Sequence, residues 1–108
     1  MLKRGGHLPD FVFGNLYGTT TQQTTTQTVD EVIRQNGYSW RWNSPYAGGY
    51  ITRHYGLSAD DTGQKLVQVL QVEVNRGLYT TPSGQLIPDR LAPISQTLGQ
   101  LLDALITA

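Results

Sequence analysis

Along the first eighteen residues the apolar positions come in one short burst, Phe11-Val12-Phe13, set between Pro9-Asp10 and Gly14-Asn15. A run of this kind bounded by turn formers predicts a short strand, with Leu16-Tyr17 pinning the turn that follows. From Thr19 to Thr28 the chain then contains only Thr and Gln. A tract with no apolar side chains cannot build a core. It reads as a linker, or as an exposed strand that adds to a partner's sheet edge. Residues 1–28 are therefore expected to form an extended arm, and residues 29–108 a single domain.

Thr28-Val29-Asp30-Glu31 has the form of a capping box: the Thr hydroxyl accepts from a backbone N–H three residues on, and Glu31 reaches back. A short helix of about two turns follows through Val32 and Ile33 and stops at Gly37. Next, Tyr38 to Gly56 holds both tryptophans and four of the six tyrosines. Two aromatic and β-branched runs flank Ser44-Pro45 and Gly48-Gly49, the pattern of a β-hairpin with a long loop. Tyr38, Trp40 and Trp42 share one face of its first strand, and Ser39, Arg41 and Asn43 the other. The return strand alternates Tyr50, Thr52 and His54 with Ile51, Arg53 and Tyr55, and its register stays open.

Ser58 followed by Asp60-Asp61 marks another helix start. Gln64, Gln68, Gln71 and Asn75 form a polar stripe opposite Leu66, Val67, Leu70 and Val74, which predicts a helix closing at Gly77. The valines of this stretch lower helix propensity and leave strand as the alternative. Leu78 to Pro88 predicts two short extended pieces around a Pro82-Ser83-Gly84 turn. Asp89 then caps a final helix with Pro93 in its first turn, and Leu91, Ile94, Leu98, Leu101, Leu102 and Leu105 make its apolar stripe. The expected fold is α+β: a small single domain with a central aromatic hairpin, two to three helices and the N-terminal arm.

Composition sharpens this picture. Of 108 residues only 15% are charged, against an ordinary quarter, and the net charge is zero. Such a surface repels copies of itself weakly and suits a protein packed against partners. Cysteine is absent, which excludes disulfides, thiolate zinc sites and cysteine nucleophiles. No apolar run approaches the roughly 18 residues of a membrane helix, and no hydrophobic region follows the basic start. An intracellular origin is the expectation.

Candidate chemistry is thin. His7 and Asp10 have no well-spaced third metal ligand, and His54 lies within an aromatic run. Asp60-Asp61-Thr62-Gly63 lacks the alternating donors of a calcium loop, and Gly56 to Lys65 lacks the spacing of a phosphate loop. The acid pairs Asp30/Glu31 and Asp60/Asp61 read as helix N-terminal charges. No catalytic residue, metal or cofactor is expected, and the chain is not expected to be an enzyme. The preferred reading is a structural or assembly protein working through other protein chains in a homo- or hetero-oligomer. A viral (phage) particle component such as a connector, tail or capsid-associated protein fits that style, with localisation in the virion. Phe11, Phe13, Tyr17, Tyr46 and Tyr50 would contact partners. The alternative is a small single-stranded nucleic-acid module in which Trp40 and Trp42 stack on bases and Arg41 and Arg53 reach phosphates.

Overall fold

The computed structural model describes residues 8–44, 47–49, 52–54 and 67–107. Strand β1 (Phe11–Gly14) lies in the middle of a three-stranded sheet. Helix α1 (Gln23–Gln35) connects it to β2 (Trp40–Trp42), which pairs with it in parallel, Phe11 opposite Trp40 and Phe13 opposite Trp42. Parallel neighbours require a long crossover, here supplied by α1. On its other edge β1 pairs antiparallel with β3 (Gln71–Val74), Phe11 opposite Val74 and Gly14 opposite Gln71. Helix α2 (Pro88–Thr107) closes the described chain. The α+β class expected from sequence is thus observed, as one small domain with a mixed sheet.

The core lies between the sheet and both helices. Phe11, Phe13, Val29, Ile33, Ile94 and Leu101 form its buried cluster, with Tyr38, Trp40, Trp42 and Val74 packed on it. The Phe11 and Phe13 rings stack at 5.9 Å, Tyr38 meets Phe11 edge-on at 5.2 Å, and Trp42 tilts against Phe13 at 5.3 Å. Val29 and Ile33, one turn apart, carry the buried stripe of α1. That helix ends in a Schellman motif around Gly37 (φ 79°): Gly37 N–H donates to the Arg34 carbonyl at 3.0 Å, and Tyr38 N–H to that of Ile33 at 3.3 Å. Asn36 ties its end to α2, donating to Gln100 Oε1 at 2.9 Å and accepting from the buried Thr97 hydroxyl at 3.1 Å.

Four expectations require correction. First, the described part of the arm belongs to the body: β1 is its central strand, and Thr20 and Thr21 are buried. Thr20 and Val69 exchange bonds, the Val69 N–H at 3.0 Å and the Thr20 hydroxyl at 2.8 Å from the other's carbonyl. Second, α1 starts at Gln23, ahead of Thr28. Its start is capped from a distance by Gln68 Oε1, which accepts from Gln22 N–H at 2.6 Å and the Thr25 hydroxyl at 2.7 Å. Third, β2 makes its pairs with β1 rather than with a return strand, and Thr52–His54 are helical. The other return-strand positions, Tyr50, Ile51 and Tyr55, lie outside the described residues, as does the Ser58 helix start. Fourth, Gln71–Val74 is strand, because pairing with β1 rewards the β-branched positions that a helix would not. The turn around Gly84 (φ 91°) stands, closed by the Thr80–Leu86 bridge. Pro93 lies inside α2, beyond its first turn.

Candidate functional site

Residues in register across a sheet project to the same side. Phe11, Phe13, Trp40 and Trp42 face the helices. The intervening trio Arg41, Val12 and Glu73, in register across β2, β1 and β3, therefore faces the opposite side. Arg41 and Glu73 are exposed, with the almost buried Val12 as an apolar floor between them. Gln71 and Asn75 flank Glu73 on that same side, two residues away in each direction. Next to Glu73 is a cleft of about 250 Å³ lined by Leu8, Pro9, Val12 and Val74, with Glu73, Asn75 and Arg76 as its polar members.

At one end of this face, where the parallel pair β1–β2 finishes, the backbone is held in unusual conformations. Leu16 (φ 48°), Tyr17 (φ 58°) and Asn43 (φ 62°) occupy the left-handed region that L side chains seldom adopt. Two asparagines hold them. Asn43 Oδ1 accepts from the backbone N–H groups of Asn15 at 3.0 Å and Tyr17 at 3.1 Å, and its Nδ2 donates to Asn15 Oδ1 at 2.9 Å. Buried Asn15 also accepts from Gly18 N–H at 2.8 Å and donates to the Thr21 hydroxyl at 3.0 Å. Over this end lies a strap, Ala47–Gly49. The Ala47 carbonyl accepts from Leu16 N–H at 2.9 Å, and a Cβ on Gly14 would stand 2.7 Å from that oxygen. Only glycine at position 14 allows this approach. Gly49 N–H donates to Gln71 Oε1 at 2.9 Å, and its carbonyl accepts from Arg53 N–H at 3.0 Å. In open parallel sheets the carboxyl ends of the strands are where ligands bind. That rule points to the end marked by Gly14 and Gln71, and Glu73 stands two residues in from it on the open face.

The other described carboxylates on β1, α1 and their connections already have partners. Asp10 accepts from Ser39 N–H at 2.9 Å, and Glu31 pairs with Arg34 and Gln35. Asp30 accepts from the indole N–H groups of both Trp40 and Trp42, each at 2.8 Å. Asp89 and Asp103 sit on α2, on the other side of the sheet. Glu73 is the carboxylate that the described strands present on the open face, with Gln71 Nε2 at 3.5 Å. Among the described residues, no group of three or more His, Cys, Asp or Glu side chains is arranged to hold a metal ion. No described helix is long and apolar enough to cross a membrane.

Several residues singled out from the sequence are placed differently. Phe11 and Phe13 are fully buried in this chain's own core, so they are corrected from partner contacts to packing residues. Tyr17 is exposed, while Tyr46 and Tyr50 lie outside the described residues. Trp40 and Trp42 turn toward α1 and bond to Asp30, which withdraws them from any stacking platform. Arg41 and Arg53 are exposed, the first on the open face across Val12 from Glu73, the second in the Thr52–His54 turn next to the strap. The sequence reading places Gln71 in a polar helical stripe and does not single out Glu73. The signal was present as strict alternation: Gln71, Glu73 and Asn75 against Val72 and Val74.

Residues 1–80 match the family model described as N-formylglutamate amidohydrolase. An N-formylglutamate deformylase of Pseudomonas putida is 32% identical over 104 residues, which is 94% of this chain and 37% of that protein. The crystal structure of N-formylglutamate amidohydrolase from Ralstonia eutropha JMP134 is similar with a TM-score of 0.71 and 26% identity, over 95% of this chain and 36% of that one. The chain spans a little over a third of the length of these relatives. These matches overturn the expected non-enzymatic assembly role, the viral particle and virion that went with it, and the nucleic-acid alternative. The matched proteins are hydrolases. Low charge had suggested a partner-coated surface, yet the charges present include a carboxylate and a guanidinium set on one exposed face.

Proposed function

Since the chain belongs to the N-formylglutamate amidohydrolase family, we propose that it takes part in hydrolysing the formamide bond of N-formylglutamate or a close N-formyl amino acid. The products are formate and the free amino acid. What carries this reading is the extent of the family match: residues 1–80 include β1, β2 and β3, and with them the whole Arg41–Val12–Glu73 face. Because the chain spans only part of its relatives' length, it is assigned one wall of the site, with other polypeptide supplying the wall opposite.

In this reading Glu73 is the general base. It takes a proton from water as the water oxygen bonds to the formyl carbon, and the carbonyl becomes a tetrahedral oxyanion. Collapse of that intermediate breaks the C–N bond, and Glu73 returns the proton to the departing nitrogen. Arg41 stands two strand spacings away, about 10 Å, a span suited to a small amino-acid derivative. Its guanidinium offers paired N–H donors to a substrate carboxylate. Val12 between them gives the substrate's methylene carbons an apolar floor. Both named relatives come from bacteria, and we assign the work to the inside of the cell.

The test is a titration of the purified protein, together with the polypeptide that supplies the opposite wall, with N-formyl-L-glutamate, read by amide NMR for the site and by formate release for the chemistry. Shift changes clustered at Val12, Arg41 and Glu73, accompanied by formate and glutamate in equal amounts, are expected. Binding confined to another surface, or no binding at all, overturns the reading.

A further inference from the structure

We propose that Gln71 is a positioning residue whose side-chain amide ties the Ala47–Gly49 strap to the Glu73 carboxylate, a role that rests on Glu73 being the base. A primary amide has distinct ends, one accepting and one donating. Gly49 N–H can only donate, and it does so to Gln71 Oε1 at 2.9 Å, with the Thr52 hydroxyl at 3.5 Å from the same oxygen. This fixes which way the amide points. Its Nε2 is left facing Glu73 Oε1, at 3.5 Å. Contacts of this kind are commonly long in a protein without substrate and tighten when substrate binds.

The rest of the strap makes this amide decisive. Ala47 is pinned on the Leu16 side, against Gly14. Gly48 (φ 138°) lies close over Thr52, where an added Cβ would come within 2.9 Å of the threonine methyl. Gly49 passes the connection to the Arg53 backbone. The Gln71 side chain is thus the bond between the strap, with the Arg53 turn behind it, and the strand that carries the base. A displacement of the strap is transmitted to Glu73, and a change at Glu73 is felt at the strap.

Two substitutions separate the two ends of the amide. Gln71→Glu keeps an oxygen for Gly49 N–H but loses the donor to Glu73. Gln71→Met keeps the length and loses both. In Gln71→Met, Gly49 is expected to exchange its amide hydrogen about fivefold to tenfold faster, the loss of one ordinary hydrogen bond. In Gln71→Glu that exchange should stay at the wild-type rate while kcat for formate release falls about tenfold or more and KM moves little. Gln68→Met serves as control, since Gln68 bonds to the start of α1 and should leave Gly49 unchanged. Wild-type exchange at Gly49 in Gln71→Met, or wild-type kcat in Gln71→Glu, overturns the proposal. If the wild-type protein releases no formate, the hydrolase reading falls and the base role with it. Gly49 exchange still decides whether Gln71 holds the strap.

Discussion

One side of the sheet is made of Phe11, Phe13, Trp40 and Trp42 under two helices; the other offers Arg41 and Glu73 to solvent on either side of the nearly buried Val12. The same strands supply both, residue by alternate residue. The helix-covered side leaves its aromatic groups no freedom: rings stack, and both indoles share the Asp30 carboxylate. That rigidity is what fixes the spacing between Arg41 and Glu73 on the other side. The comparison teaches a division of labour in which stability is concentrated on one face so that the opposite face is free to carry charge without packing partners.

Substitutions on the two faces should therefore separate sharply, here taken from the largest loss of stability to the smallest. Phe13→Ala empties the middle of the aromatic stack and should destabilise the fold by about 3–5 kcal/mol in chemical denaturation. Asp30→Ala leaves two indole N–H groups without their charged acceptor, and a loss of about 2–3 kcal/mol is expected, with a shift in tryptophan emission. Gly37→Ala forces a side chain into the left-handed end of α1, at about 1 kcal/mol, visible as a lowered thermal midpoint. Glu73→Gln should change stability by less than about 0.5 kcal/mol, as exposed positions do. Yet it should lower formate release by about 10²–10⁴-fold, the ordinary contribution of a general base. Glu73→Gln with full activity would break the comparison on its open side, and a harmless Phe13→Ala would break it on the covered side.

Much of this architecture could be read from local pattern. Phe11–Phe13 as a strand, Gly37 as a helix stop, the Gly84 turn and the last helix all follow from signals within a few residues. What failed was whatever depends on distant partners. The Thr/Gln tract looked unable to fold by itself. It becomes buried or helical because Val69 and Gln68, some way along the chain, satisfy its polar groups. Trp40 and Trp42 looked like one strand of a hairpin because their actual neighbour, β1, lies behind them in sequence and across a helix. The candidate site was hidden by the same cause. Glu73 and Gln71 fit both a polar helical stripe and an alternating strand, and only pairing with β1 tells the two apart. The candidate site left no local signature, since Gln71 and Glu73 come from one strand and Arg41 from another, distant in sequence.

Having the middle strand come first has a consequence for how the protein is made. Phe11–Gly14 leaves the ribosome ahead of both its sheet neighbours, and the strand on its second edge is finished only with Val74. At about 5–20 residues per second, the nascent chain waits several seconds with this edge uncovered. Through that interval the Phe-Val-Phe run is an adhesive edge open to other nascent chains. Slowing translation ahead of Gln71 should raise the aggregated fraction without altering the finished protein.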